Sequence, residues 1–598
     1  MFALIDGSGY GVVIALVAFF YSLLRTKEAA QSIWVALAGF IPTVLIVWIF
    51  EYEFNVSHTG YLGGYGYAVF ASCVGLIAAG FVLTSRSVGG MLIGAGVAVL
   101  LFSGIGYVGT YWTTSVGTEA NRNYAALGNI TRAKTGDKPI LPDTDANEMV
   151  TMDVHLAYTR AHSVLGSGGN NLGSYYEIEE SEGVQKWIAG KNWFVFPLEL
   201  NSWMEQEGLL THQISCGAGF VAVPADDPNA DVKIVSNLCL NYLPGSSFSK
   251  NLQRYVYTHG YSDGQLIDPT LEPDNNWHPY FTIAYVQPAY TVGGAKVVKV
   301  LVVDPATGDI QAYDPDKTPE WVERVSSEGM VKGWAGDFAK YINNPAFFNS
   351  NNAGQMKVDT VRLVNIHGQH QVWQVPLLAN NDKAISTNGI ILYDTRETKG
   401  TFYEAEGASG LASSATLVAA FENIKENTRG WTVDHIQFYS VQGVPTWMAI
   451  YAKTTGAGSQ FAGVGFLDAR DTNSASVKFA TSKQEALDAY KDFLSQKSLS
   501  AENVDEKVVS TQLSGVVLRV GPELLTNNQT VYKVLVKGDA RVFSMSHNLS
   551  DVLPDVKEGD SVSITFDEPV TPRVRVRSVT AFDDTTLADQ MKAPAAKQ

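Results

Sequence analysis

At 598 residues, 46% of them hydrophobic, the chain is too long for one ordinary core and calls for three or more domains. Its formal net charge of -17 weighs against nucleic-acid binding as the main task of the part after Trp112, because phosphate contacts need Lys and Arg gathered on one surface. An acidic, solvated exterior is the simpler reading of that charge.

Four apolar stretches open the chain: Gly9–Leu24, Ser32–Phe50, Tyr67–Thr84 and Gly89–Tyr111. Each reaches or approaches the length that spans a hydrocarbon core as a helix, and their interiors carry no Asp, Glu, Lys or Arg. The pattern predicts a four-helix transmembrane domain over residues 1–112, since a secretion signal supplies only one such run. Arg25, Lys27 and Arg86 lie in the loops after the first and before the fourth stretch, whereas the loop between the second and third holds Glu51 and Glu53. The positive-inside rule then puts everything after Trp112 outside, with Trp34, Trp48, Tyr107, Tyr111 and Trp112 as interface anchors. Gly90 and Gly94 have the spacing that lets helix backbones approach, within a bundle or between subunits. No ionisable group sits at mid-stretch, which weighs against transport by the bundle alone.

Residues 113–150 read as a polar exit linker ending in DTDANE, Asp143–Glu148, taken as a helix start rather than a calcium loop. Met152–Val164 predicts a short helix bearing His155, Tyr158 and His162; the two histidines lack the further ligands of a zinc motif. Residues 151–350 and 351–496 form two α+β regions. Their texture is strand-rich and recurrent: GKNWFVFPLEL at Gly190–Leu200, then three strand–loop–strand units within His278–Tyr313, Gly368–Glu406 and Gly443–Asp471. Alternating aromatic and β-branched residues carry the strands, and Gly, Asn and Asp the turns. Helical stretches Trp321–Ile342, Ser409–Lys425 and Ser482–Gln496 cover one side of each sheet. Asp304, Asp309, Asp394 and Asp468 fall at turns and read as turn formers before metal ligands. The pair His367 and His370 in HGQH is read the same way.

VVKVLVVDPATGDIQAY within that first unit resembles the closing hairpin of a PepSY domain, and the unit around IQFYSVQGVPTWMAIY is similar in layout. The resemblance implies extracytoplasmic modules of helix and antiparallel strands that bind proteins, in some cases as peptidase inhibitors, without catalysis of their own.

Between Leu200 and Gln265 the pattern breaks, with Trp203, His212, Cys216, Cys239, Arg254 and His259 in one segment. Cys216 and Cys239 form a disulfide if this part faces an oxidising compartment; two separate reduced cysteines are the alternative. Cys216 precedes GAG, yet no nearby base and oxyanion partner makes it a nucleophile. The aromatic cluster Trp277–Tyr280 lines a groove or fills a core. Residues 497–507 read as a linker, and 508–581 as five short strands in an order that resembles an OB-fold barrel. Arg541, Arg573, Arg575 and Arg577 alternate there, with Phe543 the sole nearby stacking aromatic. Residues 582–598 read as a disordered tail.

The fold class expected is thus a multidomain membrane protein: a four-helix transmembrane bundle, tandem PepSY-like α+β modules and an OB-like barrel. No metal quartet, phosphate loop or nucleophile elbow is present, so neither catalytic residues, metals nor cofactors are assigned. The function expected is a self-associating extracytoplasmic scaffold held in a bacterial inner membrane by several passes. The alternatives are an envelope peptidase regulator or enzyme with a site assembled from distant residues, and an oligomeric conduit. Expected partners are the lipid bilayer, the chain itself and other envelope proteins, with neither nucleic acid nor a small-molecule substrate assigned.

Overall fold

The computed structural model describes residues 2–26, 29–50, 66–82, 90–101, 130–133, 144, 146, 148–167, 172–201, 216–289, 295–342, 354–366, 370–381, 386–404, 411–424, 430–455, 458–499, 510–524, 530–539, 541–546, 553–567 and 573–582. The chain separates into two compact units, Met1–Ala486 and Leu487–Gln598.

The opening helices are Phe2–Thr26, Ala29–Trp48 and Gly66–Val82, followed by the apolar helix Gly90–Leu101. Their closest approaches are made at Gly39, Gly75 and Gly96. A Cβ on Gly75 would collide with Thr43 Oγ1 and lie 2.6 Å from Gly39 O, and one on Gly96 would lie 2.9 Å from Cys73 O. At Gly90 and Gly94 a Cβ would meet nothing within 4 Å. Thr43 Oγ1 ties two helices by donating to Gly39 O at 2.8 Å and Ala71 O at 3.3 Å.

These helices correct the expected four spans. Among the described residues only Ala30–Trp48 is long and apolar enough to cross a membrane. The apolar parts Val12–Leu24, Ala68–Val82 and Gly90–Leu101 have 10–17 residues, which at ~1.5 Å per residue falls short of a ~30 Å core. One such helix near the N-terminus does not establish an anchor, because a signal sequence passes the same test. The multi-pass inner-membrane location and the membrane-anchored scaffold fall with it, as do the regulator, enzyme and conduit alternatives attached to that placement. Lys27, Glu51, Glu53, Arg86, Tyr107, Tyr111 and Trp112, on which the orientation rested, lie outside the described residues.

Beyond the helices the first unit is built from open sheets. Strand β1 (Ile130–Arg132) pairs in parallel with Gly400–Phe402. Strands β2 (Tyr176–Glu177), β3 (Val184–Ile188), β4 (Lys191–Leu200), β5 (Gly219–Pro224) and β6 (Lys233–Val235) form an antiparallel sheet around β4 and β5. Strands β7 (Gln265–Leu271), β8 (Phe281–Gln287), β9 (Lys296–Val303) and β10 (Ile310–Tyr313) come next as a meander. The run KVVKVLVV of β9 is apolar at nearly every position because both its faces are covered. Leu301 and Val303 join the core shared with β3, β5 and β8, while Val300 and Val302 join the core on the other face.

That second core is closed by the helix Glu328–Tyr341. Ser327 caps it by accepting from Met330 N at 3.3 Å. Met330, Trp334, Phe338 and Tyr341 recur at helical spacing and bury one stripe. Against them lies a seven-stranded sheet of β1, β11 (Met356–Val358), β12 (Arg362–Ile366), β13 (His370–Ala379), β14 (Ser386–Asp394), β15 (Gly400–Glu404) and β16 (Leu411–Ala412). A third core joins the helix Ser414–Glu422 to β17 (Thr432–Val441), β18 (Val444–Thr455), β19 (Gly458–Asp468) and β20 (Lys478–Ala480).

In the second unit β21 (Ser510–Leu524), β22 (Thr530–Val536), β23 (Val542–Ser546), β24 (Ser561–Asp567) and β25 (Arg573–Phe582) close in the order β21-β22-β23-β25-β24. Its interior is Val517, Val534, Phe543, Met545, Ile564 and Phe566, among others. The fold class expected for the whole chain therefore does not stand: among the described residues one helix rather than four meets the spanning criterion, and the sheets of the first unit are open.

One buried ionic cluster joins the first unit's layers. Lys186 of β3 is 1% exposed and reaches Glu272, which lies just past β7 and is 0% exposed, at 3.1 Å, and Glu323 at 3.3 Å. It also donates to Trp321 O. Removing one partner from such a cluster leaves an uncompensated buried charge, so Lys186→Ala is expected to cost about 3–5 kcal/mol. The denaturant midpoint of the first unit's unfolding measures this; an unchanged midpoint would refute it.

Candidate functional site

The cluster fixes the backbone that leads into the helix Glu328–Tyr341. Glu272 Oε2 accepts from Lys186 Nζ at 3.1 Å and from Glu323 N at 2.6 Å, and Oε1 accepts from Arg324 N at 3.1 Å and Thr282 Oγ1 at 2.8 Å. A carboxylate without water is thereby given four donors, which offsets the cost of its burial. Glu323 in turn accepts from Trp187 N at 3.1 Å. Burial raises its carboxyl to about 7, the pull of Lys186 working against that and Glu272 with it.

Arg324 comes next, and it opens onto a cavity of about 580 Å³. The walls come from the turn Glu180–Glu182 and β3, from the facing surfaces of β7 and β8, and from the segment running into the capped helix, with Trp373 of β13 behind. The guanidinium carbon lies 5.5 Å from the Trp373 ring centroid. The Trp373 indole is held by donating to Ser326 O at 3.0 Å. Arg324 Nη2 donates at 3.5 Å to Gln185 O, but Nε is buried with no hydrogen-bond partner. Burial lowers the guanidinium pKa, against the opposing pull of Glu272, Glu323, Glu328 and Asp268.

Glu182, which also lines the cavity, has a buried oxygen, Oε2, without a hydrogen-bond partner. Burial raises its carboxyl to about 8, with Glu199 and Glu179 adding to the rise. Glu199, buried within β4, is raised to about 7 for the same reason, opposed by the hydrogen bond it accepts from Gly245 N at 3.0 Å. Burial is the first cause of both rises, so neither carboxyl ionises as readily as an exposed glutamate.

The residues singled out from sequence fall elsewhere. Cys216 and Cys239 are bonded, with Cα atoms 5.2 Å apart. Cys73 is free and buried. His155 lies on the helix Val154–Ser167, started by Asp153, whose Oδ1 accepts from Leu156 N at 2.8 Å; the start is thus later than DTDANE. His155 Nδ1 faces Glu180 Oε2 at 3.1 Å and Nε2 faces Ser459 Oγ at 3.1 Å, a half-exposed tie between that helix and β19. His162 instead lies against Tyr158, ring centroids 5.8 Å apart.

Asp304, Asp394 and Asp468 each accept from the amide two residues on, at 2.8, 2.9 and 3.0 Å, as turn formers do. Trp277 fills a core beside Trp193 and Phe220 rather than a groove. Arg541 is engaged by Asp539 and by the rings of Phe543 and Phe566. His367, Trp203, His212 and the Arg573, Arg575 and Arg577 side chains lie outside the described residues. Among the described residues no three His, Cys, Asp or Glu side chains gather as a metal site. Sequence reasoning passed over Lys186, Glu199, Glu272 and Arg324. For Lys186 and Glu199 the available signal was a charge at an inward position of an apolar strand, as in VQKWI and FPLEL; Glu272 and Arg324 lie outside strands and carried no such signal.

The chain matches no family model and no curated protein. The PepSY and OB-fold likenesses accordingly rest on strand pattern alone.

Two outcomes are expected. An unfolded glutamate titrates near 4.5, whereas Glu182 and Glu199 keep their protons to about 8 and 7. The folded state then binds more protons between those values, so this contribution to stability is full below 4.5 and declines as pH rises through 7 to 8. Denaturant midpoints of the first unit should fall between pH 5 and 8, and Glu199→Gln should flatten the decline. Reducing the disulfide, which closes a separation of 23 residues, should cost about 3 kcal/mol in the same measurement.

Proposed function

We propose that the chain works by binding, and that the cavity beside Arg324 captures a small organic ligand. The observation that carries this reading is the cavity itself, walled by apolar side chains together with a few polar groups, Arg324 and Glu182 among them. Its volume of about 580 Å³ lies within the ~300–1,000 Å³ of ordinary small-molecule sites. Ile267, Ala284, Val325 and Trp373 offer apolar wall, while Thr270, Thr282 and Ser326 bring hydroxyls. The order is that of a binding site: apolar surface for affinity, few polar groups for orientation.

A thermal-shift screen of the full chain against a library of small polar organic compounds tests the reading. A ligand present at a hundred times its Kd should stabilise the first unit by about 2.7 kcal/mol. Ala284→Phe, which fills the cavity from β8, should abolish that stabilisation while leaving unliganded unfolding within about 1 kcal/mol of the parent. Compounds that stabilise Ala284→Phe as well as the parent would place the binding elsewhere and refute the assignment.

A further inference from the structure

The barrel of the second unit carries a groove of about 470 Å³ lined by Arg519, Gly521, Pro522, Lys533, Leu535 and Val542. Val534, Val536, Phe543 and Met545 belong to the barrel core, so the alternate residues Lys533, Leu535, Val542 and Ser544 face outward. The register sets the groove in two rows. Arg519 pairs with Leu535 and Leu535 with Val542; Gly521 pairs with Lys533 and Lys533 with Ser544. The same register carries the rows on to Arg573 and Arg575 of β25, while the row beyond begins at Glu523, opposite Val531. The basic stretch is therefore two rows deep, and none of the residues lining the groove is acidic or aromatic. A Cβ on Gly521 would meet nothing within 4 Å, so the groove is open beside both cations.

We propose that this groove docks an extended acidic segment of a partner protein, with carboxylates at alternate positions meeting Arg519 and Lys533 and an apolar side chain over Leu535 and Val542. Arg519 and Lys533 are diagonal neighbours across β21 and β22, a relation that puts side chains about 7–8 Å apart. Alternate residues of an extended chain recur every ~6.5–7 Å on one face, so carboxylates spaced in that way reach both cations. A single strand of nucleic acid would call for rings on which its bases stack. Phe543 is fully buried in the barrel core, and the groove offers Leu535 and Val542 instead. The whole chain carries a net charge of -17 and repels an acidic segment at long range, so the attraction is local to this face. The inference stands apart from the cavity beside Arg324, with which the groove shares no residue.

Fluorescence anisotropy on the full chain tests this with labelled probes: an octapeptide alternating Glu and Val, the same peptide with Gln for every Glu, and a short oligothymidylate. The Glu–Val peptide should bind, and its affinity should fall as salt is raised. The Gln–Val peptide should bind at least about tenfold more weakly, because the charge-assisted contacts are lost. Arg519→Glu, at an exposed position, should weaken the Glu–Val peptide at least about tenfold, and Lys533→Glu likewise. Gly521→Leu, which keeps the charge and fills the groove, should weaken it comparably. Arg519→Glu and Gly521→Leu keep the test decisive if Lys533→Glu fails to fold. Absence of binding by the Glu–Val peptide, equal binding of the two peptides, or binding that Arg519→Glu and Gly521→Leu leave unchanged would overturn the proposal. An oligothymidylate that binds more tightly than the Glu–Val peptide, and is lost in Arg519→Glu, would assign the groove to nucleic acid and overturn the acidic partner.

Discussion

The arrangement depends on one buried carboxylate. Glu272 lies just past β7 with no exposed surface, yet it receives Lys186 from β3, Thr282 from β8 and two successive amides, those of Glu323 and Arg324. Three pieces of chain distant in sequence are thereby held at one point. The electrostatic gain of a buried ion pair is largely offset by desolvation, so the cluster's main effect is on geometry. An apolar substitute would fill the same space without dictating where the segment Trp321–Arg324 runs.

That path orients the residues beyond it. With the amides of Glu323 and Arg324 fixed, the chain turns through Ser326, whose carbonyl receives the Trp373 indole, to Ser327, which caps the helix. The guanidinium, the indole and the helix start are therefore one assembly, positioned from behind by the Glu272 carboxylate. Burial holds the Glu182 and Glu199 carboxyls well above the usual carboxylate range, while the exposed rim residues Asp268 and Glu328 are acidic.

Much of the strand architecture was legible. The double-sided burial at the end of β9 is consistent with the apolar run Val300–Val303, and the helices Glu328–Tyr341 and Ser414–Glu422 fall inside the stretches whose spacing marked them. The disulfide joins the two cysteines that share one segment. The opening helices were misread because, among the described residues, the apolar helices are shorter than the apolar stretches of sequence. The GxxxG spacing of Gly90 and Gly94 drew attention by pattern, whereas the tight contacts occur at Gly39, Gly75 and Gly96, whose partners lie on other helices. The cavity was illegible for a related reason. Lys186, Glu272 and Arg324 acquire meaning only through tertiary neighbours 50 to 140 residues away, and none belongs to a local motif.

The most direct measurement is the crystal structure of Glu272→Met, which keeps the volume and removes the acceptor. On this account the segment Trp321–Arg324 should leave its path and the Trp373 indole should lose its bond to Ser326 O. A variant that folds with that segment and the start of the helix Glu328–Tyr341 unmoved would contradict the account, because the carboxylate would then not be what positions them.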